Sequence, residues 1–366
     1  MLFLTKCFGI TASDAERNLD AEKASYPEIV TNVLLMQANA AAKGRCPVTR
    51  GTHAKGSCAR ALFEVLKTPA EREGVLAARL AKGIFSKPGV YPAIVRFGNS
   101  DANRNSDYKP DVRSLSFSVD CSALSGGGFG RQDFSLQNAM TMPINDAAAF
   151  LAISKVLTAK SPGTGLRSLA LRDKLRVIRT LLLAQLQSRK TVKAYQQLRY
   201  WSTVPFRHGP SDFVKYSATP SSNNPAGPLK KADPNALQEE LVRHLNEDEQ
   251  MSSFDFGIQF LDTGKMTYWG RQMDTNFWIE NASVVWHETE APFHTIGRLT
   301  LLPKSQILGG EAEAVYFDVT EHASPDSTPV GSMNRTRWHG EVASRKARMQ
   351  AGVTLAGRAS SQDPLG

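Results

Sequence analysis

Residues 50–65 read RGTHAKGSCARALFEV, and the histidine at position 53 sits where the local chemistry changes. Small residues follow the imidazole, at Ala54, Gly56, Ser57 and Ala59. Then comes an apolar run, 61–65, of the kind that starts a strand. Glycine is used where backbone must come close to something bulky. An imidazole beside small residues at the mouth of a strand can therefore face a flat ligand. Taken alone, the default for His53 is a packed or solvated histidine, because most histidines are neither ligands nor catalysts.

Around this stretch lies a chain of 366 residues, 41% hydrophobic and 22% charged, the composition of an ordinary globular protein. Its length suits one large domain or two smaller ones. No apolar run reaches the roughly 20 residues that cross a bilayer. The N-terminal MLFLTKCFGI lacks the charged-then-apolar order of a secretory signal, so a cytoplasmic location is expected. The four cysteines, Cys7, Cys46, Cys58 and Cys121, are scattered without CxxC or Cys/His spacing. That argues against zinc and for reduced thiols, although Cys46 and Cys58 could be near one another.

The net charge of +9 is uneven. Between Lys160 and Arg199 there are ten Lys/Arg and one acid, Asp173, an excess equal to the charge of the whole chain. Within it, LRSLALRDKLRVIRTLLLAQLQ places Leu171, Leu175, Ile178, Leu182 and Leu186 at helical spacing. The first expectation is an amphipathic helix packed on the body with a solvated basic face. A second is peripheral contact of residues 166–186 with an anionic membrane or an acidic partner. Nucleic acid is not expected, since no binding motif or aromatic platform accompanies the charge.

Residues 1–45 read as a helical arm. From 58 to about 145 the text turns to short β runs (ARALFEVL, AIVRFGN, SLSFSVD), and from about 146 to 200 it is helical. A Pro/Asn/Ser-rich loop, 217–236, is followed by a helix near 238–247 and strands over 254–304. The division expected is an arm (1–45), one domain (46–349) and a flexible tail (350–366). Strands early and late with helices between predict an α+β fold, an antiparallel sheet closed by distant segments. GGGFG at 126–130 lacks the Lys and helix of a phosphate loop.

His53 does not stand alone. Arg50, His53, Ala54, Lys55 and Gly56, then Leu62, Phe63, Glu64 and Val65, resemble the distal segment of the haem catalases, Arg-x-x-His-Ala-Lys-Gly and an apolar-Phe-Glu-Val strand. IVRFGNSDANRNSDYKPDVRSLSFSVD resembles a second catalase block: Val95, Arg96, Phe97, Asp111 and Arg113 match, whereas Gly98, Ser114 and Ser118 depart. DFSLQNAMTMPINDAAAF falls on the segment that carries a distal amide and a haem-facing Phe. YWSTVPFRHGPSDFVKY, SVVWHETEAPF and TIGRLTLLP are similar to later family segments. Together the blocks span residues 50–348. Thr52 and PVGSMNR look more like the small catalase-related branch of allene oxide synthases and minimal peroxidases.

The resemblance implies a catalase-like antiparallel β-barrel holding haem b, with flanking helices, acting on peroxide or an organic hydroperoxide such as that of a fatty acid. It casts His53, with Thr52, as the distal acid/base, Asn138 or its neighbour Gln137 as the amide that orients peroxide, and Phe150 as the aromatic. Arg50, Arg96 and Arg348 fall on propionate cations. A homodimer is a further expectation, because family members commonly associate.

One departure matters. The family's proximal pattern, Arg-x-x-x-Tyr-x-x-x-x-x-x-Arg, falls here on NRTRWHGEVASRKAR, with Arg337 and Arg348 in register and Glu341 in the tyrosine's place. Glu341 is then the expected iron ligand, with His339 as the alternative if the helix slips. A carboxylate titrates near 4.3 against about 10 for a phenol, and is a much weaker donor. Ordinary catalase turnover is therefore expected to be weak. A haem-free catalase-fold protein with a different or lost activity, associated with a membrane through residues 166–186, is the competing expectation.

Overall fold

The alternation of SLSFSVD becomes one strand with two unlike faces. Leu115, Phe117 and Val119 are wholly buried, while Ser116 and Ser118 turn the other way. The computed structural model describes residues 19–42, 50–67, 74–122, 130–188, 192–221, 224–231 and 233–352. The beginning of the N-terminal arm, Cys7, Cys46, most of the GGGFG run and the tail beyond 352 lie outside the described residues.

In chain order the elements are helix α1 (Leu19–Ala42), strand β1 (Gly56–Val65), α2 (Val75–Leu80), β2 (Gly89–Asn99), β3 (Arg113–Asp120), β4 (Arg131–Gln137), α3 (Ala147–Thr158), α4 (Pro162–Ser168) and α5 (Leu171–Gln187). They continue with β5 (Tyr200–Trp201), β6 (Phe206–His208), β7 (Asp212–Pro220), α6 (Ala236–Val242), β8 (Ser252–Phe260), β9 (Thr267–Tyr268) and β10 (Arg271–Gln272). The last are α7 (Thr275–Glu280), β11 (Phe293–Ile307), α8 (Gly309–Ala314) and α9 (Ser332–Gln350).

The strands run antiparallel in the order β5-β4-β3-β2-β1-β11-β8-β7. Strand β5 returns to β7 through Tyr200–Ala218 and Trp201–Ser217, which closes eight strands into a barrel. Strand β6 extends the rim as a hairpin on β7. The early and late strand groups meet at β1, which pairs with β2 on one side and β11 on the other. This is the expected α+β barrel with flanking helices.

An eight-stranded barrel has an interior just wide enough for side chains to fill. Here aromatic rings fill it. Phe134 lies 4.7 Å from Phe117, 5.0 Å from Phe256 and 5.2 Å from Tyr216, centroid to centroid, and Phe63 lies 5.4 Å from Phe256. The expectation that the barrel itself holds the ligand is therefore corrected. The cavity lies outside it, where the polar face of β2–β4 meets the helices.

Helix α1, assigned to a separate arm, packs against α3 and α9, and α3 packs against α5. Helix α3 starts where Asp146 accepts the Ala149 N–H at 2.8 Å, an N-cap that satisfies one of the open donors of the first turn. Helix α5 packs on α3 through Val177, which joins Ala152, Ile153 and Val156. The leucine stripe does the opposite of what amphipathic packing predicts. Leu171, Ile178, Leu182 and Leu186 are exposed, and Val177 and Thr180 are the buried residues.

Lys215, on the outer face of β7, is 3% exposed. Its Nζ lies 4.8 Å from the Trp286 ring centroid and 3.4 Å from the Val284 carbonyl oxygen. Burial pushes its ammonium down from 10.5 to about 7. The unfolded chain keeps that proton up to 10.5 while the folded chain releases it above about 7, so stability rises with pH across this window and is lowest below it. Lys215→Met should raise stability at pH 6 by about 1–4 kcal/mol, because a buried charge gives way to an apolar chain of similar length. Urea unfolding at several pH values checks this. A variant no more stable than its parent at pH 6, or one keeping the parent's pH slope, contradicts it.

Candidate functional site

Strand β1 begins at a glycine because no other residue fits. A Cβ on Gly56 would lie 2.2 Å from the Phe97 carbonyl oxygen and 2.8 Å from the Arg96 guanidinium. The missing side chain lets Arg96, outward on β2, reach across the mouth of β1, where its Nη2 donates to the His53 carbonyl at 2.8 Å. His53 has a positive φ of 54°, a conformation that costs a non-glycine residue energy and is kept only where the surroundings impose it. The Arg96 bond is one constraint; the His53 N–H donating to the Ser100 carbonyl at 3.3 Å is another.

A cavity of about 380 Å³ lies against β2, β3 and β4, with α1, α3, α5 and α9 completing its walls. Such a volume falls in the range of small-molecule and cofactor sites. Residues far apart in the chain converge on it: Arg50, Thr52, His53, Arg96, Gln137, Phe150, Arg337, Glu341 and Arg348 all line it.

Two predicted residues are not brought there. Asn138 is 4% exposed, and its side chain is spent on the backbone: Oδ1 accepts the Arg113 N–H at 2.7 Å. The period of two along β4 explains the difference, since it puts Ser135 and Gln137 on the cavity wall while Phe134 and Leu136 point into the barrel. His339 lies on another side of α9, its ring 4.0 Å from that of Tyr26 and 4.9 Å from that of Trp338. Residues two positions apart on a helix differ by about 200° in direction, so Glu341 and His339 cannot both face the cavity on an unbroken helix.

His53 Nδ1 lies 3.1 Å from Thr52 Oγ1, and Nε2 is buried with no hydrogen-bond partner among the described residues. Burial first, then the positive charges of Arg96, Arg337 and Arg50, push the imidazole down from 6.5 to about 3. It is therefore neutral at physiological pH. In the tautomer whose Nδ1–H donates to Thr52, Nε2 presents a lone pair and can accept a proton.

The cations form a second group. Arg50 and Arg348 share the Glu313 carboxylate at 4.0 and 3.7 Å, and each also donates to the Glu313 carbonyl. Arg104 pairs with the same carboxylate. Burial and neighbouring guanidiniums lower both Arg50 and Arg348. Arg50 Nη1 and Arg348 Nε are buried with no hydrogen-bond partner among the described residues. Three guanidiniums crowding one carboxylate are costly unless an anion completes the set.

On α9, Arg337 Nη2 lies 3.2 Å from Glu341 Oε1. Burial raises the Glu341 carboxyl above its ordinary range, and nearby Asp318 adds to this, against the pull of Arg337 and Arg345.

These residues fit haem in three respects. The unsatisfied guanidinium nitrogens match a planar dicarboxylate, and apolar side chains such as Val112, Met142, Ile144 and Phe150 line the same space. The donor set matches as well. Among the described residues no three His, Cys, Asp or Glu side chains cluster to hold a bare metal ion. Among the described residues that line the cavity Glu341 is the one carboxylate, and it would be the anionic oxygen offered to an iron held by a porphyrin.

Sequence reasoning missed Tyr316 and Val33, which line the cavity, and Glu313, which pairs with Arg50 and Arg348 behind it. It could have found Ser114, Ser116 and Ser135, which line the cavity, because the alternation of SLSFSVD places the first two on the outward face.

No family model matches the chain, and no curated protein matches it in sequence. Its structure is similar to that of catalase A from Saccharomyces cerevisiae, with a TM-score of 0.61 and 15% identity over 90% of this chain and 70% of that one. A fungal catalase gives 0.58 and a bacterial catalase 0.57, each at 15% identity over 90% of this chain and 68% and 66% of theirs. At such identity the likeness concerns architecture. The closed antiparallel barrel with its flanking helices is the catalase fold, and this chain is built on it.

Proposed function

We propose that the cavity holds haem b and that the protein is a haem-dependent oxidoreductase acting on peroxide or an organic hydroperoxide. The observation that carries this reading is that Arg50 and Arg348, which share the Glu313 carboxylate, line one cavity with Arg96 and with a buried neutral imidazole. A dianion with a flat apolar body answers both the charge and the lining. Bound haem supplies the redox-active iron at which a peroxide O–O bond is broken.

The chain's own residues have separable tasks. Arg50, Arg96 and Arg348 would hold the propionates. His53 Nε2 would take a proton from one peroxide oxygen and return it to the other, with Thr52 Oγ1 fixing the tautomer. Gln137, rather than Asn138, is the amide on the cavity wall, so it is the one assigned to orient the peroxide. Phe150 and its apolar neighbours would keep water away from these groups. Glu341 would be the oxygen donor to the iron. A carboxylate, its charge shared with Arg337, is a weaker donor than a phenolate, so rapid dismutation of hydrogen peroxide is not expected.

The protein purified from cells supplied with haem precursor should show a Soret band, and haem added to haem-free protein should saturate at one equivalent per chain. Glu341→Tyr should move the spectrum toward that of a phenolate-ligated ferric haem. An unchanged spectrum removes Glu341 as the ligand. Absence of haem both from the purified protein and after titration overturns the reading and leaves a haem-free protein of the same fold.

A further inference from the structure

We infer that α5 docks the protein on the surface of an anionic phospholipid membrane, its leucine face in the acyl boundary and its basic flanks against the headgroups. The stripe is unlike scattered surface apolar residues. Leu171, Ile178, Leu182 and Leu186 recur at seven- and four-residue steps along one face, with exposures of 74%, 43%, 53% and 76%. Leu181, beside them, is 51% exposed. The 17 residues of α5 make a rod of about 25 Å, long enough to lie in the interface plane. Among the described residues no helix is long and apolar enough to cross a membrane, so the contact is in-plane.

Charge selects the occupant. Lys160, Arg167 and Arg172 approach or open the helix on exposed positions, and Lys193 follows it. The one acid of the stretch, Asp173, is paired with Arg176 at 2.7 Å. A second copy docked face to face would bring these like charges together across a two-fold axis. An anionic lipid surface is complementary to them, and attracts each Lys or Arg near it.

The helix is also fixed to the site. Its inner edge supplies Ala184 to the cavity wall, as does its C-cap residue Ser188, and Gln187 Nε2 donates to Thr141 Oγ1 at 3.0 Å. If the haem reading holds, docking therefore sets the cavity beside acyl chains, and lipid hydroperoxides become its substrate class. That clause rests on the proposed function; the docking does not.

Co-flotation of the full chain with phosphatidylcholine vesicles, with and without phosphatidylserine, tests it, and the result does not depend on haem. Binding should be at least about tenfold tighter to the anionic vesicles and should weaken with added salt. The exposed double variant Leu182→Glu/Leu186→Glu, with an unchanged melting curve, should lose it at least about tenfold. Equal affinity for both vesicles overturns the inference. So does undiminished binding of the variant, or a concentration-dependent dimer that the variant breaks, which would make this face an interface between copies. A protein that binds vesicles but not haem keeps the docking and loses the oxidoreductase, and the reverse result separates them equally well.

Discussion

His53→Asn in the haem-loaded protein is expected to lower peroxide turnover by about 100- to 10,000-fold, the usual contribution of a positioned acid/base. Asparagine is chosen for its backbone. Position 53 has a positive φ, which Asn tolerates better than most residues, so the strand mouth and the Arg96 bond to its carbonyl should persist. What is lost is a lone pair on a neutral imidazole. Haem titration should be nearly unchanged, since the guanidiniums that would hold the propionates are untouched. The parent's pH profile carries a matching signature. Burial and the arginines hold the imidazole near 3, so it stays unprotonated as pH falls through 6.5, and turnover should show no acid limb there. Steady-state rates with hydrogen peroxide and with an organic hydroperoxide, measured from pH 8 to pH 5, read both effects. Variant turnover equal to the parent's, or an acid limb centred near 6.5, would remove His53 from the proton path.

The fold was legible because its signal is local and periodic. SLSFSVD states two faces by itself, and ARALFEVL and AIVRFGN supply the neighbours that β3 and β11 complete. The members of the site were legible through the resemblance to the haem catalases, whose motifs fix their spacing. Arg50 with His53 and Arg337 with Glu341 and Arg348 sit at fixed intervals, and the structure sends each of them to one cavity. What spacing cannot state is which way a side chain turns once its element is placed. Asn138 follows the last residue of β4, where the alternation stops and its amide caps the Arg113 backbone instead. The leucines of α5 failed for a related reason. An apolar stripe says that a helix has two faces, not that the apolar one is covered by the same chain, and here the buried residues of the helix are Val177 and Thr180. Glu313 lies outside every motif, and only the converging guanidiniums reveal it.

Arg335→Ala is expected to cost about 3–5 kcal/mol of stability at pH 7, the range for leaving a buried charge without its partner. The guanidinium joins two carboxylates: Nε and Nη2 donate to Glu22 at 2.8 and 3.1 Å, and Nη1 and Nη2 to Glu280 at 3.1 and 2.9 Å. Glu22 belongs to α1 and Glu280 to α7, so one side chain on α9 ties three elements together. The lower end of the range is the better expectation, because Arg335 is 32% exposed while its partners' side chains are 4% and 2% exposed. Burial already raises Glu280 despite Arg335, and removing the cation raises it further. In the variant the folded state then binds protons more readily than the unfolded chain, so its stability should recover as pH falls toward 5. Restoring charge balance with Glu22→Gln and Glu280→Gln should recover much of the loss at pH 7. The effect should reach the site, because α9 also carries Arg337, Glu341 and Arg348, and a loosened helix should bind haem more weakly than the parent. Urea unfolding at pH 7 and pH 5, with haem titration, measures each part. A loss of less than about 1 kcal/mol at pH 7 would mean that the three groups behave as an exposed ion pair and do not fix α9.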